Sequence, residues 1–296
     1  MNVLSINLCG AGGPEKMEWI KRLKRQHNIM FIAIQETQIQ ISSNLKPTCF
    51  WGQTNCDFDF MDAHGRSGGL LCLWDPGKFS KSSVCKNRNF LQICGKITGH
   101  DEPVTITNIY GPQDPSAKRS LWRHLESTID PSTPHLLIGD FNAVRHPSDR
   151  LNSDFCQSEA NQFNSFIQRV GLKEFSLGGR RYTYMSKSGD KFSRIDRAFA
   201  TPSLMRIWSD FDLLALPREC SDHCYLLLRS NNCDFGATPF RFFSSWFNEA
   251  GYTEVVQKAL NLPTDLPPGA KPDKVLAVKL KKVKELLRAW SKSARN

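Results

Sequence analysis

No run of about 18 consecutive apolar residues occurs in this chain, so no membrane-spanning helix is expected. The opening Met1-Asn2-Val3-Leu4-Ser5-Ile6-Asn7 lacks the basic start of a secretory leader, so a nuclear or cytoplasmic location rather than secretion is the expectation. None of the ten cysteines forms a CxxC pair, which argues for reduced thiols and against a disulfide framework. Cys220, His223 and Cys224 cluster, but a fourth zinc ligand at suitable spacing is missing. Repeats at solenoid or propeller periods are absent. So is the Tyr-x-Asp-Asp signature of a polymerase, so reverse transcription is not expected of this chain itself.

Positive charge is present but unevenly spread. The net charge is +10, and the segment from Lys271 to Asn296 holds nine bases against two acids. Most of the excess therefore sits at the C-terminal end, and the remainder is only mildly basic. Charge alone is weak support for a polyanionic partner. With 40% hydrophobic and 23% charged residues, 296 residues can bury a sizeable core without staples.

Patterning predicts a strand over 2–8, a helix from Pro14 to Asn28 with Met17, Ile20 and Leu23 on one face, and a strand over Ile29–Ile34 buried on both sides. Further strands are predicted at Leu70–Trp74, 90–98, Val104–Tyr110, His135–Gly139, Tyr182–Met185, Arg194–Ala200 and Cys224–Arg229. Helices are predicted at Ser116–Ile129 and Gln157–Val170, the second stopped by Gly171. The texture changes after Ser230. Two more helices, roughly 243–260 and 273–292, flank a Pro/Gly-rich linker at Leu262–Pro272. Leu276, Leu280, Val283, Leu287 and Trp290 form an apolar seam on the second. An α/β sandwich of two packed sheets with helices outside is expected, with residues 1–229 as one domain and 230–296 as a helical extension.

Polar clusters sit just past several predicted buried strands: Ser5-Ile6-Asn7 with Gly10; Gln35-Glu36-Thr37; Asn108-Ile109-Tyr110-Gly111-Pro112; Gly139-Asp140-Phe141-Asn142; Ser193-Arg194-Ile195-Asp196-Arg197; and Ser221-Asp222-His223. Singly, each has an ordinary explanation. Glu36 suits a solvated strand end, Asp140 and Asn142 suit a turn, and His223 suits a hydrogen-bonded core position. Their order is more telling. SxNxxG, QET, YGP, GDFN, SxIDR and SDH resemble the endonuclease/exonuclease/phosphatase (DNase I-like) superfamily over about residues 1–229. Gly68-Gly69-Leu70 with Trp74, Asp149-Arg150 after Gly139–Asn142, and Tyr182-Thr183-Tyr184 ahead of Arg194–Arg197 are similar to the endonuclease domain of plant non-LTR (LINE-type) retrotransposons. The segment from Phe240 to Trp246 resembles the linker that leads into a reverse transcriptase in such elements.

That resemblance implies a DNase I-like four-layer α/β sandwich, two mixed β-sheets flanked by helices, and a nuclease that nicks double-stranded DNA and leaves a 3′-hydroxyl for reverse transcription. It implies Mg²⁺, with Mn²⁺ as a possible substitute, held by Glu36, Asn7 and Asp222. Hard cations take such oxygen donors. Asp140, Asn142, His223, Asp196 and Tyr110 are the implied catalytic residues, with Asp196 fixing the His223 tautomer. Whether Asp140 or His223 activates the water stays open at this level. Arg150, Thr183 and Ser221 are implied to contact DNA or brace the site, and Arg180, Arg181, Arg194 and Arg197 are candidates for the DNA-facing rim. The chain reads as a fragment or truncated copy, with a reverse transcriptase as the partner domain. The same centre also serves abasic-site repair endonucleases and inositol-phosphate phosphatases. A catalytically silent nucleic-acid-binding fragment using the basic C-terminal helix is the reading from another class.

Overall fold

The computed structural model describes residues 1–40, 47–52, 55–64, 67–230, 246–247, 249, 251–264, 266–267 and 269–293. The chain divides into two compact units, Met1–Asn232 and Cys233–Asn296.

The first unit is a four-layer α/β sandwich. One sheet has seven strands, in the spatial order Leu177–Gly179, Phe211–Ala215, Leu226–Ser230, Asn2–Asn7, Ile29–Gln35, Ser67–Trp74 and Asp57–His64. The other has six: Lys173–Glu174, Asp196–Ala200, His135–Asp140, Pro103–Tyr110, Phe90–Ile97 and Phe79–Asn87. Both sheets are mixed. Side chains of a strand alternate between its faces, and this splits the apolar run Ile29–Ile34 in two. Phe31 and Ala33 enter the core between the sheets, with Leu136, Ile138 and Ala198 from the opposite sheet. Ile32 and Ile34 instead meet Trp19, Ile20 and Leu23 of the helix Pro14–Gln26. On the far side, Leu137, Phe141 and Phe199 pack under Trp122 of the helix Pro115–Thr128 and Phe163 and Phe166 of the helix Gln157–Val170.

The strands missed by patterning are mostly edges. Phe79–Asn87 is exposed along nearly its whole length and Asp57–His64 is half-polar. Each closes one sheet edge, where charged residues discourage further pairing, so neither shows a clean apolar alternation. In the second unit, the helices are Tyr252–Asn261 and Pro272–Ser293. Most of the predicted segment 243–251 lies outside the described residues, as does most of the 240–246 linker. The expected seam holds only in part: Leu287 is buried, whereas Leu276 and Leu280 are 57% and 56% exposed. No helix among the described residues is long and apolar enough to cross a membrane.

Strand direction decides where the polar clusters go. Asn2–Asn7 and Ile29–Gln35 run parallel and finish side by side, Asn7 beside Gln35. Leu226–Ser230 runs antiparallel to Asn2–Asn7, so the segment 221–225 enters at that same edge. In the opposite sheet, Tyr110 and Asp140 end parallel strands in register, and Asp196 opens the strand antiparallel to Asp140.

The buried His135 carries a prediction. Its ring accepts or donates a 2.7 Å hydrogen bond with Thr107 Oγ1, and burial pushes its pKa down to about 4. The folded state therefore resists protonation that the unfolded chain accepts near pH 6.5, and the associated stability is full above that pH and lost as pH falls toward 4. Acidification from pH 7.5 to 4.5 should remove roughly 2–3 kcal/mol through this group alone. Urea unfolding across that range should show a steeper decline in the wild type than in His135→Gln. Parallel declines would show that His135 is not the group responsible.

Candidate active site

The six strand ends open onto a cleft of about 440 Å³ lined by Asn7, Glu36, Tyr110, Asp140, Asp222 and His223, among others. Glu36 and Tyr110 also border an adjoining groove of about 840 Å³ that reaches Arg88 and His124. The structure thus brings together residues spread over more than two hundred positions of sequence.

At the centre, His223 Nδ1 lies 2.9 and 3.0 Å from the two oxygens of Asp196. That pairing fixes the ring so that Nε2 points toward Asp140, 3.9 Å from Oδ2. Asp140 Oδ2 accepts a 3.0 Å hydrogen bond from Asn7 Nδ2, and Oδ1 accepts one of 2.8 Å from the Asn142 amide. Asn142 is anchored in turn by donating to the Gly111 carbonyl at 2.8 Å. All of Asp140, Asp196 and His223 are buried.

Burial of these charges sets their acidity. Burial, reinforced by the Asp196 charge, raises the Asp140 carboxyl to about 7 against the opposing effects of His223, Asn142 and Asn7. For His223, burial acts downward, but the charge and hydrogen bond of Asp196, with Asp140 and Asp222 beyond, prevail and push it up to about 9. Burial and the charges of Glu36 and Asp140 raise the Tyr110 phenol, which stays protonated. Cys9 at the rim is likewise raised, by burial and by Asp222 and Glu36, and is no thiolate nucleophile.

Asp140, Asp196 and His223 offer ligand atoms within 4.8 Å of one another. Both Asp196 oxygens are directed at a ring nitrogen, however, which describes a hydrogen-bonded pair better than three ligands around an ion. The residues expected to hold a cation line the cleft beside them. Glu36 is half-buried, with Oε1 accepting from Gln38 Nε2 at 3.0 Å. Asn7 Oδ1 accepts from the Cys9 amide at 2.9 Å, which leaves one lone pair. Carboxylates and an amide oxygen at a partly open wall fit a hard divalent cation.

The backbone bends sharply to present these groups. Cys9, Glu36, Gln38 and Asn142 have positive φ values of 48°, 52°, 56° and 48°, a conformation non-glycine residues adopt at a cost. The Glu36–Gln38 turn is held by amides of Thr37 and Gln38 donating to the carbonyls of Gly69 and Gly68. Gly69 has φ +86°, and a Cβ there would sit 2.2 Å from Thr37 Oγ1, which is why this motif carries glycine.

Several expected placements are corrected. Of the two roles open to Thr183 the structure shows bracing: it is fully buried, and its hydroxyl accepts from the amides of Ile195 and Asp196 at 3.2 and 3.0 Å. Ser221 also braces, donating to the Asn7 carbonyl at 2.7 Å and accepting from the His223 amide at 3.1 Å. Arg197 is not at the rim. Its 1%-exposed side chain bonds Asp149 at 2.6 Å and Glu174 at 2.7 Å. Arg194 is half-buried and also pairs with Glu174, at 2.8 Å. Arg150 does line the cleft. Cys224 directs its thiol to the Tyr182 carbonyl, away from any shared ligand point with His223.

Other residues in and around the cleft were given no role of their own from sequence. Tyr184 sits with its ring 5.0 Å from that of His223. Lys118 is 8% exposed, reaches the cleft wall and pairs with Glu159 at 2.8 Å. It shares the inward stripe with Leu121, Trp122 and Leu125, and a lysine on an apolar helical face was the available signal. Gln35 Nε2 donates 2.6 Å across the sandwich to Asn108 Oδ1.

The two sheets and their flanking helices define a DNase I-like sandwich. Residues 4–223 match the endonuclease/exonuclease/phosphatase family, and the chain belongs to it. Among solved structures, an AP endonuclease from Archaeoglobus fulgidus is similar at 17% identity and TM-score 0.63, over 78% of this chain and 99% of that one. A 3′-5′ exonuclease from Neisseria meningitidis gives 14% and 0.63 over the same shares. The endonuclease domain of TRAS1, a telomere-specific non-LTR retrotransposon, gives 15% and 0.57, also over 78% and 99%. These likenesses establish a shared fold.

Two outcomes test the geometry. Asp196→Asn should lower the His223 pKa from about 9, read by NMR titration of the imidazole; an unchanged value would mean that Asp196 does not control the ring. Arg197→Met leaves two carboxylates short of their partner and should cost about 3–5 kcal/mol in urea unfolding, whereas a loss under 1 kcal/mol would show the pairing to be dispensable.

Proposed function

We propose that this chain is a divalent-metal-dependent DNA endonuclease of a non-LTR retrotransposon, nicking one strand of double-stranded DNA to leave a 3′-hydroxyl that primes reverse transcription. The observation carrying the reading is the His223–Asp196 pair set beside Asp140 in a cleft that also holds Glu36 and Asn7. Motifs similar to the retrotransposon branch supply the finer assignment, and a reverse transcriptase domain is the expected partner.

Charge states divide the work. An imidazole with a pKa near 9 is protonated at neutral pH, so His223 is a poor base there and a good donor to a phosphoryl oxygen. Asp140, raised to about 7, is matched to accept a proton from water. That water attacks phosphorus, the P–O3′ bond breaks, O3′ takes up a proton from solvent, and a 5′-phosphate and 3′-hydroxyl result. Tyr110, kept neutral, donates to a phosphoryl oxygen, and Asn142 orients the water or a phosphate oxygen. Bound by Glu36, Asn7 and Asp222, a hard divalent cation, Mg²⁺ with Mn²⁺ as substitute, would neutralise charge on the phosphoryl and departing oxygens. Arg150 is placed to meet the flanking backbone.

Supercoiled plasmid with Mg²⁺ should be relaxed by the wild type, and relaxation should fall by roughly 100-fold or more in Asp140→Ala and in His223→Ala. Plasmid left intact by the wild type, or relaxed equally by both variants, sinks the proposal. Similarity to AP endonucleases favours abasic-site cleavage as the second reading. A marked preference for an abasic duplex over an intact one would select it.

A further inference from the structure

A second cavity, of about 240 Å³, neighbours the cleft and is lined by Ser148, Asp149, Leu177, Gly179, Arg181 and Arg194. Two short segments run between it and the cleft. Ser148 and Asp149 line the cavity while Arg150 lines the cleft, and Arg194 lines the cavity while Ser193 and Ile195 line the cleft. Those segments are hydrogen-bonded to each other, Arg150 pairing with Ser193 in a small antiparallel sheet. One thin partition therefore separates the two spaces.

The charges around this cavity do not balance. Arg145, Arg194 and Arg197 share only Asp149 and Glu174. Arg181 adds a fourth guanidinium, exposed and without a carboxylate partner among the described residues. It is held over the mouth by donating to the Ser148 carbonyl at 3.3 Å and by the Tyr182 ring at 5.3 Å. Arg194 Nε is buried and has no hydrogen-bond partner among the described residues. Arg181 and Arg194 line the cavity against the single carboxylate of Asp149, which Arg197 already engages, and with an unused N–H they describe a site short of an anion. A planar guanidinium fork suits phosphate oxygens in particular.

We infer that this cavity seats a second phosphate of the nucleic-acid backbone, beside the scissile one, with Arg181 and Arg194 as its donors. The inference rests on the cleft being the place where DNA is cut, since only then does a strand leaving it reach Arg181. Asp149 does not repel such a phosphate, because its carboxylate is already engaged by Arg197 and by the amides of Arg145 and His146.

The test is binding of a fluorescent intact duplex measured by anisotropy, without added metal, so that the readout does not depend on turnover. Arg181→Ala and Ser148→Glu both alter exposed positions and leave the buried ion pairs in place; unchanged thermal unfolding checks this. Each should weaken duplex binding about tenfold at 0.1 M salt. Each should also lower the slope of log K against log salt by about 0.9, the loss of one phosphate contact. Unchanged affinity and slope in both variants would overturn the inference. So would protection against thermal unfolding by inorganic phosphate, lost in Ser148→Glu, with duplex affinity unmoved; the cavity would then serve a free anion. Failure of the nuclease reading is distinguishable, since it would appear as an uncut plasmid whatever the duplex affinity.

Discussion

The arrangement depends on one polar contact within the largely apolar interface between the sheets, the hydrogen bond from Gln35 to Asn108. Both side chains are fully buried, one in each sheet. Asn108 also donates to the carbonyls of Ile34 and Leu71 on the opposite sheet, and Gln35 donates to Ser5 on its own. A hydrophobic interface tolerates repacking and small slides, whereas a buried amide that loses its partner costs about 1–3 kcal/mol. The bridge thereby penalises any displacement of one sheet over the other. It lies one residue before Glu36 and two before Tyr110, so the placement it enforces is that of the two cleft walls. The Asn7–Asp140 hydrogen bond, which also crosses between the sheets, is only possible at that setting.

On that frame the structure concentrates unbalanced charge. Asp140, Asp196, Asp222 and Glu36 line or approach a space in which His223 is the nearest cation; burial first and the Asp196 charge second raise Asp140, and the Asp196 charge overrides burial to raise His223. A cleft of this kind favours a divalent cation. Across the thin partition formed by Arg150–Leu151 and Phe192–Ser193, the guanidinium cluster shows the opposite imbalance. Evenly neutralised surfaces would have no reason to segregate charge in this manner. Under the proposed function, a substrate carrying phosphates, approached by a metal at one of them, would satisfy both sides at once.

The sequence made the central strands and the catalytic termini legible because buried strands have strong apolar signatures and their ends are marked by Asn, Glu, Asp and His. Edge strands such as Phe79–Asn87 escaped because exposure removes the pattern. Register explains the misplacement of Arg197. Adjacent residues of a strand face opposite ways, so Asp196 turns to His223 while Arg197, one step on, turns away from it to Asp149 and Glu174. A motif reading that treats SxIDR as one word cannot separate the two. For Thr183 and Ser221 contact with DNA and bracing were both left open, since a hydroxyl that accepts amides and one that meets a ligand look alike in sequence. The Gln35–Asn108 bridge was illegible for a different reason: it joins residues 73 positions apart in two sheets, and nothing local announces the pairing.

The catalytic centre by itself does not choose among repair, exonucleolytic and retrotransposon roles, because proteins with all three descriptions share this fold. Discrimination must come from what touches the strand on either side of the scissile phosphate. Here those surfaces are not free to vary independently. Asp149 anchors Arg197, and Arg197 precedes no loop but sits inside the strand that begins at Asp196, so the Ser148–Arg150 segment and the residue that orients His223 share one ion-pair network. A substrate phosphate that rearranged Arg181 or Arg194 would act on the same network that holds Asp196. Under the proposed function, recognition of flanking backbone and orientation of the His223 imidazole would be linked through that buried network, because Arg197 ties Asp149 to the strand that carries Asp196.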